Sequence, residues 1–213
     1  MDPRSGVVRA ASSEAGCLVW ADSRIAYDPT DDTLAARESV RATAMYVLKP
    51  GIKANPYRRW SLPDRVFFGY GACHILAGVF LDQPPLPGFY AERVVPAEDF
   101  LGNHLYVTDG VVAFDYHGYS GRDRLLEHHK RVWSSQYDGW LCAIERVDFK
   151  LLSTADLNMR QMLGPDQYLH DPIPRARRFI EQRDHASAAA KVVVALRRSA
   201  AGHKRTSAGV LSR

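Results

Sequence analysis

The pattern of apolar and polar positions changes period part-way along the chain. The opening fifteen residues are small and polar and suggest a loose segment. A helix is expected from about Thr33 to Lys49, led in by Asp31 and Asp32, capped by Thr33 and stopped by Pro50-Gly51. Residues 50–66 set Pro50, Gly51, Pro56 and Pro63 around Tyr57, Arg58, Arg59 and Trp60, which reads as a long structured loop. The turn Gly69-Tyr70-Gly71-Ala72 then runs into an apolar stretch that predicts a helix of about ten residues. The prolines of 82–88 end it, because proline cannot continue a helix.

Beyond that point the runs become short, β-branched or aromatic, and bounded by turn residues. Residues 89–95, 104–109 and 111–116 predict strands. Asp109-Gly110 is the strongest hairpin signal, with the pair expected at the centre of a type I′ turn that needs positive φ at both positions. A helix is expected to follow from Ser120, with Ser120 and Asp123 as a capping pair. A strand at about 140–149 comes next, then a short helix capped by Ser153 with Asp156 and ending at Gly164. The Ala-rich stretch 186–201 predicts a last helix that stops at Gly202. Helices first, then an antiparallel sheet with a helix inserted, make an α+β pattern and disfavour alternating βα units.

Charge adds an asymmetry. From Arg175 onward ten Lys and Arg stand against two acids, a net +8, while the preceding 174 residues carry 18 basic and 22 acidic residues. The expected organisation is a loose N-terminus at 1–16, an α+β domain at 17–174 and a basic helical extension at 175–213. No run approaches the roughly 18 apolar residues of a membrane span, and the first twenty residues do not read as a secretory signal. A cytoplasmic location is the expectation.

Cys17, Cys73 and Cys142 form no CxxC pair, which argues against a zinc ribbon, a redox dithiol and a disulfide framework. Single cysteines are then judged by their surroundings. A thiol with a pKa of about 8.5 is only slightly ionised near neutrality. A helix N-terminus adds about 0.3–1 kcal/mol to a nearby anion, too little to ionise it alone. An imidazolium in contact lowers the pKa much further, and a carboxylate behind the imidazole stabilises that cation. Cys73 meets the first condition: it follows small residues at a helix start, and its own N–H can stabilise an oxyanion. His104 opens a strand, and across the Asp109-Gly110 turn Asp115 returns close to opposite it. Cross-strand neighbours have Cβ atoms about 4.5–5.5 Å apart, or about 7–8 Å on the diagonal. Cys73 as nucleophile, His104 as base and acid, and Asp115 as orienter form the candidate triad. Tyr70, Gly71 and His117 are expected to line the substrate side.

A helix-start cysteine, then a histidine opening a strand, then an acid on the next strand, in that chain order, resembles the papain-like superfamily. The likeness is closest to its transglutaminase-like branch, which includes arylamine N-acetyltransferases, and it covers roughly residues 65–150. It implies a papain-like fold and acyl transfer to water or an amine through a thioacyl intermediate, on a small-molecule or peptide substrate, with no cofactor. Papain-type enzymes carry an oxyanion-stabilising glutamine shortly before the cysteine, and no Gln precedes Cys73 here. Asn55 and the Tyr70 hydroxyl are the candidate replacements.

Other constellations carry less. Cys73, His74, His104, Asp115 and His117 lack the paired spacing of zinc ligands, the adjacent Cys73 and His74 being expected to diverge on a helix, so no metal is expected. His128-His129 reads as part of a solvated helix face. The rival function is a non-catalytic papain-like binding protein whose basic tail meets an acidic partner.

Overall fold

The structure, a computed structural model, describes Ile52 and residues 54–208, with side chains through Ala201. The expected N-terminal segment 1–16, the helix at 33–49 and Cys17 lie outside the described residues. The elements are α1 (Pro56–Trp60), α2 (Asp64–Gly69), α3 (Cys73–Asp82), β1 (Tyr90–Pro96), β2 (His104–Thr108), β3 (Val112–Asp115) and β4 (Gly118–Gly121). They continue with α4 (Arg122–Ser134), β5 (Cys142–Arg146), α5 (Thr154–Asn158), a 3-10 turn (Pro165–Gln167), α6 (Pro172–Glu181) and α7 (His185–Ala208). The fold is α+β, with an open antiparallel sheet of five strands in the order β4-β3-β2-β1-β5.

Alternating strand residues point to opposite faces, and each face has its own core. Ala91, Leu105, Val107 and Phe114 pack with Ile75, Leu76, Val79 and Phe80 of α3. On the other face Val94, Tyr106 and Ala113 pack with Leu125 of α4 and Trp140. Residues His74 through Phe80 are all buried, as befits a helix apolar on every side. Each fully buried Ile, Leu or Phe contributes about 1.5–3 kcal/mol, so α3 is held firmly, and with it the position of Cys73.

Several expectations need correction. Residues 50–66 contain two short helices, the first capped by Asn55, whose side chain accepts from the Arg58 N–H. The hairpin is shifted by one residue. Thr108 pairs with Ala113 and Asp109 N–H donates to Val112 O, so Gly110-Val111 forms the loop. The cause is local: the Asp109 carboxylate accepts from the N–H groups of Val111 and Val112, at 2.8 and 2.7 Å, an Asx arrangement that competes with the type I′ turn. Ser120 does not cap α4. It lies in β4, opposite Ala113, and α4 begins after Gly121 with no side-chain cap. The helix capped by Ser153 ends at Asn158 rather than at Gly164. α7 runs through Gly202 to Ala208, since a helical glycine costs only about 1 kcal/mol and the neighbouring alanines favour the helix. The core also crosses the expected boundary at 174: α6 buries Ala176, Phe179 and Ile180.

Candidate active site

Three elements meet at the site. Gly71 sits at φ 113°, a conformation that glycine adopts without strain, and it turns the chain sharply from α2 into α3. Cys73 is then the first residue of α3, and its N-cap, Ala72, offers no side-chain hydrogen bond to the helix start. The Tyr168 hydroxyl donates to Gly71 O at 2.7 Å, and His74 Nε2–H donates to Leu163 O at 2.8 Å. The 163–168 stretch is thereby tied to both flanks of Cys73.

His104 is the first residue of β2 and Asp115 the last of β3. Continued from the observed pairs, the register sets Asp115 opposite Tyr106 and diagonal to His104. His104 Nε2–H donates to Asp115 Oδ2 at 3.0 Å. Both side chains are 5% exposed as residues, so the pair is shielded from water. Asp115 Oδ1 accepts the His117 N–H at 2.7 Å, which holds the carboxylate in place. The half-buried Cys73 thiol lies within electrostatic range of His104 and His74, and with Nε2 engaged by Asp115, Nδ1 is the His104 nitrogen left to serve it.

Charge follows from these contacts. Burial opposes ionisation of Cys73, but hydrogen bonds and charge from His104 and His74 prevail and lower its pKa to about 5. Burial likewise opposes protonation of His104, but the bonds to Asp115 and Cys73 raise its pKa to about 10. Asp115 is held below the usual carboxylate range: burial pushes it up, and the His104 hydrogen bond outweighs that. The three directions together favour a thiolate, an imidazolium and a carboxylate near neutrality. Cys142, exposed on β5, is instead pushed up by desolvation.

No family model matches the chain. Neither does any curated protein or solved structure. The chemistry of the site therefore stands on its geometry.

Aromatic and imidazole rings enclose His104. His129 stacks on it with centroids 5.6 Å apart and planes 15° apart, and Tyr116 meets it edge-on at 5.4 Å. His129 Nε2–H donates to Gly102 O at 2.7 Å. Burial, followed by repulsion from His104, takes its pKa down to about 4, so a neutral ring lies against the imidazolium. Tyr116 is held protonated by burial and by the charges of Asp115 and Cys73.

His104 and Asp115 are joined by a hydrogen bond with Cys73 in electrostatic range of His104, and the Gly71 carbonyl accepts from Tyr168. Tyr70 caps α2 and lies within electrostatic range of Tyr116. The side-chain contacts of His117 run elsewhere: its Nδ1 accepts from Arg65 Nη2 at 3.0 Å and its ring packs on Tyr116. His74 is anchored through Nε2 to Leu163 O and acts on the thiol electrostatically. Sequence reasoning missed Tyr168 and His129. Tyr168 is 97 residues from Gly71 and has no local signal, whereas the double histidine of α4 carried one that was read as solvated. Among the described residues no group of three or more His, Cys, Asp or Glu could hold a metal ion, and no helix is long and apolar enough to cross a membrane.

Proposed function

We propose that this chain is a cysteine-dependent acyl-transfer enzyme of papain-like or transglutaminase-like design, acting on an amide, ester or thioester. The observation that carries the reading is the buried His104–Asp115 pair beside the half-buried Cys73 thiol, whose pKa is drawn to about 5. Helix-start position alone accounts for less than about one pKa unit, so the imidazolium is the main source of activation.

The Cys73 thiolate attacks the acyl carbon, a C–S bond forms, and the carbonyl electron pair moves onto oxygen. The Cys73 N–H, at the first position of α3, donates to that oxyanion. Collapse breaks the bond to the leaving amine, alcohol or thiol, which takes the proton from His104. Water or an acceptor amine then attacks the thioester and gives its proton to His104. The C–S bond breaks and the thiolate–imidazolium pair is restored. Asp115 keeps the ring oriented and stabilises its charge throughout.

The test joins reactivity to chemistry. Iodoacetamide should label Cys73 with a pH inflection near 5 and well ahead of Cys142 at about pH 6. A small activated ester, p-nitrophenyl acetate, should give a burst of nitrophenolate and an acetyl adduct on Cys73, and Cys73→Ala should abolish both. Labelling of Cys73 no faster than that of Cys142, with no burst, rejects the proposal.

A further inference from the structure

On the far side of Tyr168 lies a second feature that the acyl-transfer reading does not use. Arg59, Trp60, Phe67, Gln167, Tyr168 and Leu169 are the main lining of a cavity of about 10 Å³, which has room for about one water-sized oxygen. The Arg59 guanidinium stands 5.8 Å from the centroid of the Tyr168 ring, and its Nε is buried with no hydrogen-bond partner. A buried donor without an acceptor is costly, and more so when it is charged. Two other arginines, Arg175 and Arg65, are engaged. Arg175 bonds Asp64 and the carbonyls of Trp60 and Leu62, and Arg65 bonds Tyr116 O and His117. Among the described residues Arg59 meets no carboxylate.

Tyr168 joins this cavity to the thiol. Its hydroxyl donates to Gly71 O, two residues before Cys73. Its ionisation is resisted by burial and by the charge of Cys73, and eased by that of Arg59, so one phenol lies within electrostatic range of both groups. A planar guanidinium with an open N–H, in an aromatic-walled recess that admits one oxygen, matches a carboxylate better than it matches a neutral amide.

Resting on the acyl-transfer reading, we propose that Arg59 is a specificity residue that receives a carboxylate carried by the substrate, one of its oxygens entering the cavity. The substrates are then acyl compounds with a free carboxylate near the scissile carbonyl, and neutral acyl groups are poorer ones.

Iodoacetate and iodoacetamide test this, because they differ only in carboxylate against amide. Each alkylates the thiolate by forming a C–S bond and expelling iodide. Second-order rates at Cys73 are read by mass spectrometry. In Arg59→Gln the ratio of iodoacetate to iodoacetamide rates should fall about threefold or more, with the iodoacetamide rate unchanged. A smaller fall overturns the proposal. Should that variant not fold, Arg59→Met, which keeps the aliphatic stem and loses the charge, takes its place with the same fall expected, and a smaller fall overturns the proposal. A Cys73 that labels no faster than Cys142 removes the acyl-transfer reading and this one together. A reactive Cys73 indifferent to Arg59 removes only the carboxylate.

Discussion

His104 stands between two charges of like sign and is held as a cation by both. Asp115→Asn keeps the shape of the acid and removes its charge, so the His104 pKa should fall and the Cys73 pKa should climb from about 5 toward its ordinary 9.0. The iodoacetamide pH profile of Cys73 reads this directly, and an unmoved inflection would show that Asp115 does not act through His104. The same pair sets a stability profile. Cys73 is depressed from 9.0 to about 5, so its contribution grows as pH rises through that window. His104 is raised from 6.5 to about 10, so its contribution is complete below 6.5 and lost as pH climbs to about 10. The folded pair holds one proton from about pH 5 to about 10, while the unfolded groups hold two, then one, then none. Stability should rise between about pH 5 and 6.5, by on the order of 2 kcal/mol, stay level to about 9 and fall beyond. Urea midpoints across pH for the natural chain and Cys73→Ala test this, and the variant should lose the rise.

At the level of the element, the β2–β3 hairpin decides whether His104 meets Asp115. Asp109 holds the loop through two accepted N–H bonds, and an exposed bond of this kind contributes about 0.5–1.5 kcal/mol. Asp109→Ala should therefore destabilise the chain by about 1–2 kcal/mol in urea titrations. A neutral result would assign the register to Thr108, which accepts from Gly110 N–H and donates to Val112 O. The segment before β2 has a steric counterpart. A Cβ on Gly102, which sits at φ 119°, would come within 2.9 Å of the Trp133 ring. Gly102→Ala should cost about 1–3 kcal/mol and loosen the His129 bond to Gly102 O. A chain of unaltered stability would show that Trp133 can move aside.

Across the whole molecule, the basic C-terminal part is not uniformly an appendage. α6 contributes Phe179 at 3% exposure and Ala176 at 0% to the core that holds α3. Phe179→Ala should cost about 3–5 kcal/mol, the range for a core aromatic, as measured by denaturant unfolding. A loss under about 1 kcal/mol would return α6 to the status of a tail. α7 is tied more lightly: His185 accepts from the Tyr119 hydroxyl and donates to Ile180 O, and Leu196 lies against Gly121.

Much of the candidate site was legible because its signals are local. Glycines before an apolar run mark a sharp turn into a helix, so Cys73 was placed at a helix start. A short β-branched run on each side of Asp-Gly marks a hairpin, so His104 and Asp115 were brought to neighbouring strands. Tertiary structure settled what local signals leave open. The Asp109 side chain moved the loop by one residue and made the His104–Asp115 relation diagonal rather than direct. β4 escaped notice because Gly-Tyr-Ser-Gly has little strand propensity and forms only by pairing with β3. α6 was merged into a charged tail because its arginines mask the buried side that Ala176, Phe179 and Ile180 present. Tyr168 owes its bond to Gly71 O, and Arg59 its place against Tyr168, to contacts made across the folded chain. The sequence alone determined the identity of the reactive groups and their order along the chain. Their charge state, their enclosure and the recess beside them were decided by burial and by long-range hydrogen bonds, which exist only once the core has formed.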